Sequence, residues 1–149
     1  GDARDQAALE RALPGAAAVV SALSTGTFGP TTQLSKATAT LISALEAGGP
    51  RRLLVILSVN LLQPSVDEQF ANIHAEHQRV VELLEASSLS WTAICPPWIT
   101  NEPATGSYTQ TLGALPATIA PISKHDLALA TLNCIEDPAC ERQLVAITG

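Results

Sequence analysis

Four short apolar runs, AAAVVSAL at 16–23, LLVILS at 53–58, WTAIC at 91–95 and QLVAIT at 143–148, alternate with stretches whose apolar residues recur every three or four positions. Runs this short and this continuously apolar suit strands buried on both faces. Such strands need helical crossovers rather than hairpins, and right-handed crossovers make the sheet parallel. A further short strand is predicted around Ser107 to Leu112, inside an otherwise irregular excursion over 98–121. The class that follows is α/β with a parallel sheet.

The helical stretches carry their own punctuation. Residues 5–13 place Ala8, Leu9, Ala12 and Leu13 on one side, and Pro14-Gly15 stops that helix. From Thr31 the apolar positions Leu34, Leu41, Ile42 and Leu45 lead to a Gly48-Gly49 stop. A helix over about 68–86 sets Phe70, Ile73, His77, Val80 and Leu84 on one face, so His77 is predicted to point inward. The last helix spans 125–135.

At 149 residues the chain is read as one domain, 1–149, long enough to bury roughly 70% of its unfolded surface. With 46% apolar and 15% charged residues it is not a disordered chain. A net charge of −6, with scattered Lys and Arg, disfavours a nucleic-acid partner. No apolar run approaches the ~18 residues of a membrane span, so no membrane partner is expected and the cytoplasm is the default compartment. Cys95, Cys134 and Cys140 form no C-x-x-C and are expected to be free thiols.

In open α/β sheets ligands sit beyond the carboxyl ends of the strands, which directs attention to the exits of these runs. Ser58 ends the second run, where its hydroxyl can face a ligand or satisfy a loop amide. His77 can serve as a hydrogen-bonding group near the strand ends or as a satisfied, partly buried residue. His74 stands three residues away, but no third ligand has metal-site spacing, and no metal is expected. There is no G-x-S-x-G elbow, and Cys95 within a strand should be inert. Ser123 and Asp126 read first as helix-capping residues. The loop STGTFGP at 24–30 lacks the Lys-Ser/Thr ending of a nucleotide P-loop but could lie against a ribose. The third run leaves through Pro96-Pro97 into a polar loop, the form of a buried strand opening onto a crevice.

Several of these pieces recur together. Gly1-Asp2, Pro30-Thr31-Thr32, the strand ending in Ser58, His77-x-Arg79, Pro96-Pro97, TGSYT at 105–109 and ISKHDL at 122–127 occur in an order and spacing covering nearly the whole chain. In them the chain resembles the NmrA-like, atypical short-chain dehydrogenases of the flavin reductase, or biliverdin reductase B, type. The resemblance implies a Rossmann-like doubly wound sheet, NADP or NAD as cofactor, and hydride transfer to flavins, quinone-like dyes or linear tetrapyrroles. It places Asp2 near the adenine, and Leu23, Ser24 and Thr25 towards the ribose and nicotinamide. Ser58, His77, Pro96, Pro97 and Ile99 would surround the nicotinamide, with Ser58 as the catalytic polar group nearest the hydride site. Trp98 and Tyr108 would contact a planar small-molecule acceptor.

Three departures from the family pattern accompany the match. The glycine turn is absent, and the family's first strand, first helix and second strand, about 50 residues, would precede Gly1. The chain is therefore expected to be truncated at its amino-terminal βαβ unit, with an exposed central strand edge. Trp98 stands where the flavin reductase type has histidine, and indole is neither acid nor base near neutral pH. Tyr-x-x-x-Lys is missing too, since Leu112 stands four residues after the sole tyrosine, Tyr108. An NAD(P)H-dependent reductase is the leading expectation because the nicotinamide itself carries the redox chemistry. A non-catalytic NAD(P) sensor is the alternative. An isomerase or epimerase on the same scaffold is a third reading, disfavoured by the missing tyrosine.

Overall fold

A computed structural model describes residues 1–149. Four helices, α1 (Gln6–Ala12), α2 (Gln33–Glu46), α3 (Ala71–Ala86) and α4 (Lys124–Glu136), alternate with seven strands. The strands are β1 (Ala18–Ser21), β2 (Arg52–Ile56), β3 (Ser90–Cys95), β4 (Ile99–Thr100), β5 (Thr109–Leu112), β6 (Ile122–Ser123) and β7 (Gln143–Thr148). The main sheet has the order β1-β2-β3-β7-β5. Its first four strands are parallel and β5 returns antiparallel to β7, so the expected α/β class holds.

Strand alternation sorts the core into two layers. From β2 and β3, Leu53, Val55, Trp91, Ala93 and Cys95, with Leu57 just after β2, face the side where Leu34, Leu41, Leu45, Val80 and Leu84 of α2 and α3 pack. Leu54 and Ile94, with Val145 and Ile147 of β7, face Leu127, Ala130 and Cys134 of α4. This is the doubly wound arrangement that the family resemblance implies. One face is covered less fully than the other. Val20, which pairs in register with Leu54, remains 42% exposed, and Leu132 of α4 is 60% exposed. The outer edge of β1 has no strand beside it within residues 1–149.

The first apolar run is longer than its strand, because only Ala18 to Ser21 find partners on β2. The 68–86 helix opens as a 3-10 turn over Glu68–Phe70 before becoming α-helical at Ala71. The pairing of β4, at the start of the 98–121 excursion, with β6 just after it was not anticipated. Two-residue strands carry too little pattern to be seen in a sequence.

Two buried charges organise this fold. Thr32 at the head of α2 makes no side-chain cap. Instead Glu76 of α3, fully buried, accepts from Ser35 N (2.7 Å) and Ser35 Oγ (3.1 Å), capping α2 from a neighbouring helix. Arg79 Nε donates to the same carboxylate at 2.8 Å, and its Nη2 donates to Thr31 O at 2.8 Å. At the other end of the molecule, Arg52 Nε donates to Ile135 O (3.1 Å) and its Nη2 donates to Cys134 O, closing the carboxyl end of α4.

Candidate functional site

The carboxyl ends of β1, β2 and β3 lie side by side, and the loops leaving them carry most of the residues singled out above. The β2–β3 ladder runs past both strands: Leu57 N donates to Ile94 O (2.7 Å) and Val59 N donates to Pro96 O (2.9 Å). Ser58 is thereby held beside the Pro96-Pro97 exit. Its Oγ accepts from Asn60 N at 3.2 Å and caps the 3-10 turn Val59–Leu62. That satisfies the loop amide, as one reading of this serine required, and leaves the hydroxyl proton free to donate.

Beyond Pro97 the chain is pinned from its other side. Ile122 N donates to Trp98 O (3.0 Å), and Ile99 pairs with Ile122. The backbone of Trp98 is fixed while its indole is 74% exposed. An exposed, anchored indole offers a flat apolar face at the mouth of the strand ends.

His77 points inward, as its helical position predicted, and is only 7% exposed. Burial first, and the nearby His74 second, push its pKa down to about 4, with Glu76 opposing the shift. The ring is neutral near pH 7, and its Nδ1 has no hydrogen-bond partner. Helix α3 also packs against the turn after Ser58.

Leu23 and Ser24 leave β1 towards the amino end of the chain. Together with Gly1, Asp2, Arg4, Gln33, Leu34 and Ala37 they line a cavity of about 270 Å³. This brings together three of the proposed cofactor residues, Asp2, Leu23 and Ser24, beside the head of α2. The Asp2 carboxylate lies against Arg4, accepting from its N, Nε and Nη2 at 2.9, 3.0 and 2.7 Å. These bonds, the side-chain ones foremost, hold its pKa at about 2. Thr25 turns inward and donates to Thr27 O (3.0 Å), tightening the 24–30 loop, while Asn72 Nδ2 of α3 donates to Phe28 O (3.0 Å). Ser58, His77, Pro96, Pro97 and Trp98 do not line that cavity; His77 and Pro96 are buried and Trp98 is exposed.

Tyr108 goes elsewhere. Its ring packs against the α4-side core and its hydroxyl accepts from Asn133 Nδ2 at 2.7 Å. Asn133 lies about two helical turns along α4 from the Ser123–Asp126 end.

Ser123 caps α4 through a 3.0 Å bond from Asp126 N, as the capping reading expected. Asp126 does more than belong to the cap. Its carboxylate accepts from Thr105 N (2.9 Å), Gly106 N (3.0 Å), Ser123 Oγ (2.7 Å) and Thr105 Oγ1 (3.2 Å). Gly106 has φ +74°, which a side chain would resist, so the loop after Trp98 is bent onto α4 at this residue. The Thr105 amide foremost and the Ser123 hydroxyl next hold the Asp126 carboxyl at about pKa 2. Sequence reasoning missed this clamp, and also Glu76 and Arg52. Glu76 stands three residues after Ile73 and four before Val80, so its place on the apolar face was the available signal.

The residues present suit one part of a dinucleotide. Leu23, Leu34 and Ala37 give aliphatic walls, and Asp2 and Ser24 give polar contacts, in a cavity at the strand ends where an adenine and its ribose can be held. A glycine turn for the pyrophosphate does not occur within residues 1–149.

Solved structures share this architecture. The anaerobilin reductase ChuY from Escherichia coli O157:H7 is 19% identical with a TM-score of 0.81, over 99% of this chain and 72% of that one. A candidate NADH-flavin reductase from Streptococcus pneumoniae TIGR4 is 22% identical with a TM-score of 0.81, over 93% of this chain and 74% of that one. A wide-type short-chain dehydrogenase/reductase from Veillonella parvula DSM 2008, in complex with NADP, is 17% identical with a TM-score of 0.77, over 100% and 70%. At these identities the likeness establishes the fold, which is Rossmann-like. A family model described as NAD(P)H-binding matches residues 1–138, and the chain belongs to that family, whose cofactor is NAD(P).

Proposed function

We propose that the chain is part of an NAD(P)H-dependent oxidoreductase that passes hydride to a flavin, quinone or similar planar acceptor. Residues 1–149 would form one Rossmann-like domain completed by an amino-terminal unit of strand, glycine turn, helix and second strand. The bare outer edge of β1 and the exposed Val20 and Leu132 beside it support that completion. The solved structures above also exceed the matched chain in length.

The observation that carries the reading is the Val59–Pro96 bond, which holds a free hydroxyl, Ser58, beside the turn that presents Trp98. Bound nicotinamide supplies the hydride. Asp2 lies on the adenine side, Leu23 and Ser24 lead from it towards the ribose and nicotinamide, and Thr25 shapes the loop that follows. Ser58 donates a hydrogen bond that orients the ring or acceptor, and Pro96, Pro97 and Ile99 set the wall behind it. His77 backs the same wall as a neutral imidazole. Trp98 stacks on the acceptor, while Tyr108 steadies the far end of the acceptor loop through Asn133.

One observation favours a non-catalytic NAD(P) sensor as a second reading. Neither Trp98 nor neutral His77 offers a readily released proton. Steady-state oxidation of NADPH with a flavin acceptor separates the two readings, using the chain extended by the amino-terminal unit. Turnover that falls about tenfold in Ser58→Ala, the worth of one oriented hydrogen bond, supports the reductase. Cofactor binding without turnover supports the sensor.

A further inference from the structure

Two of the three cysteines meet in the α4-side core. Cys134 Sγ of α4 and Cys140 Sγ, on the turn Pro138–Cys140, are 3.0 Å apart, and both residues are fully buried. That is closer than two unbonded sulfurs ordinarily sit, and about one ångström beyond a covalent S–S bond. The side chain of Gln110 brackets the pair: Cys134 Sγ donates to its Oε1 (3.5 Å) and its Nε2 donates to Cys140 Sγ (3.4 Å). The main chain on both sides is fixed. Arg52 holds Cys134 O, and Thr92 Oγ1 donates to Cys140 O at 2.6 Å. Cys95 stands apart on β3, its thiol donating to Ala93 O of its own strand at 3.5 Å.

We propose that Cys134 and Cys140 are a two-electron redox pair, which a small-molecule disulfide such as glutathione disulfide closes into an intramolecular disulfide. Both sulfurs are buried, so the oxidant reaches them through local opening of the Pro138–Cys140 turn. Cys140 reacts first because its neighbour Ala139 is already exposed and Pro138 half-buried, whereas Cys134 lies inside α4. Its sulfur attacks one sulfur of the oxidant, the oxidant's S–S bond breaks, and one small thiol leaves. The Cys134 sulfur then displaces the second small thiol from Cys140, forming the Cys134–Cys140 bond. Two electrons pass from the protein pair to the oxidant, and the two thiol protons end on the two released small thiols. Burial holds the Cys134 thiol well above its ordinary range, so the second step is the slow one. Closure fastens the end of α4 to the segment entering β7, next to Gln110 and Tyr108 on β5 and the residue before it.

The test incubates the folded 149-residue chain in buffers of rising glutathione disulfide to glutathione ratio. Samples are quenched in acid, unfolded, alkylated and mapped by mass spectrometry. The expected product has Cys95 as its only alkylated cysteine and a peptide cross-linked through Cys134 and Cys140. It should also melt about 5 °C above the reduced form. C140S and C134A should each lose the cross-link and the melting shift. Three alkylatable thiols across the whole range would overturn the proposal. So would glutathione retained on Cys140 without closure, or a bond that includes Cys95.

Discussion

Glu76→Ala should destabilise the domain by about 3 kcal/mol. The carboxylate is fully buried and takes the Ser35 amide at 2.7 Å, the Ser35 hydroxyl at 3.1 Å and Arg79 Nε at 2.8 Å. Its removal leaves the N–H of buried Ser35 without a partner, a loss of about 2 kcal/mol for a charge-assisted bond. The hydroxyl adds about 1 kcal/mol, since it retains a 3.3 Å contact to Thr32 O. Arg79 is 42% exposed and can turn to water, so its share stays below about 1 kcal/mol and is offset by relief from burying a charge.

The pH dependence has a definite sign. Burial alone would raise the Glu76 carboxyl, but the bonds from Ser35 and Arg79 outweigh it and bring the folded pKa below 4.5. A carboxyl depressed on folding stabilises above its unfolded pKa and loses that contribution as pH falls through the folded value. Wild type should therefore lose more stability than Glu76→Ala on acidification below about pH 4.5. Urea unfolding of both proteins between neutral and acidic pH measures this, with an unchanged m-value showing that the two transitions are comparable. A cost under about 1 kcal/mol at neutral pH, or a gap that widens in acid, would refute the capping argument.

Asp126→Ala should free the loop after Trp98. Amide exchange at Thr105 and Gly106 should rise to the rate of open loop while the α4 core stays protected; unchanged protection would show that the clamp is not needed. Because the Asp126 pKa is lowered to about 2, wild type should keep this protection down to about pH 3, where an ordinary carboxyl would be largely protonated. Trp98→Ala should raise KM for a flavin acceptor about three- to tenfold with little change in kcat, the signature of lost stacking. An unaltered KM would remove Trp98 from the acceptor site.

The layers of this fold were legible because parallel strands buried on both faces read as unbroken apolar runs. LLVILS and WTAIC could hardly be anything else between helices of clear period. His77 was legible for a related reason, since its helical position fixes its direction whatever its chemistry. Glu76, Arg52 and Asp126 were not, because each earns its burial through partners 41, 83 and 21 residues away. The Cys134–Cys140 contact depends on how the turn after α4 folds back, which periodicity does not encode. Of the site, Ser58 and the Pro96-Pro97 exit could be placed from strand ends alone. The family resemblance put Asp2 near the adenine and Leu23 and Ser24 towards the ribose and nicotinamide, and the structure lines one cavity with all three.

Isothermal titration of NADPH and NADH is the most direct test of the central claim. The titrations would use the 149-residue chain and the same chain extended by an amino-terminal strand, glycine turn, helix and second strand. Saturable binding of at least one dinucleotide by the extended protein is expected, weakened when Leu23→Asp places a charge in the cavity that Leu23 lines. Binding by neither protein, or binding indifferent to Leu23→Asp, would contradict a dinucleotide site at these strand ends.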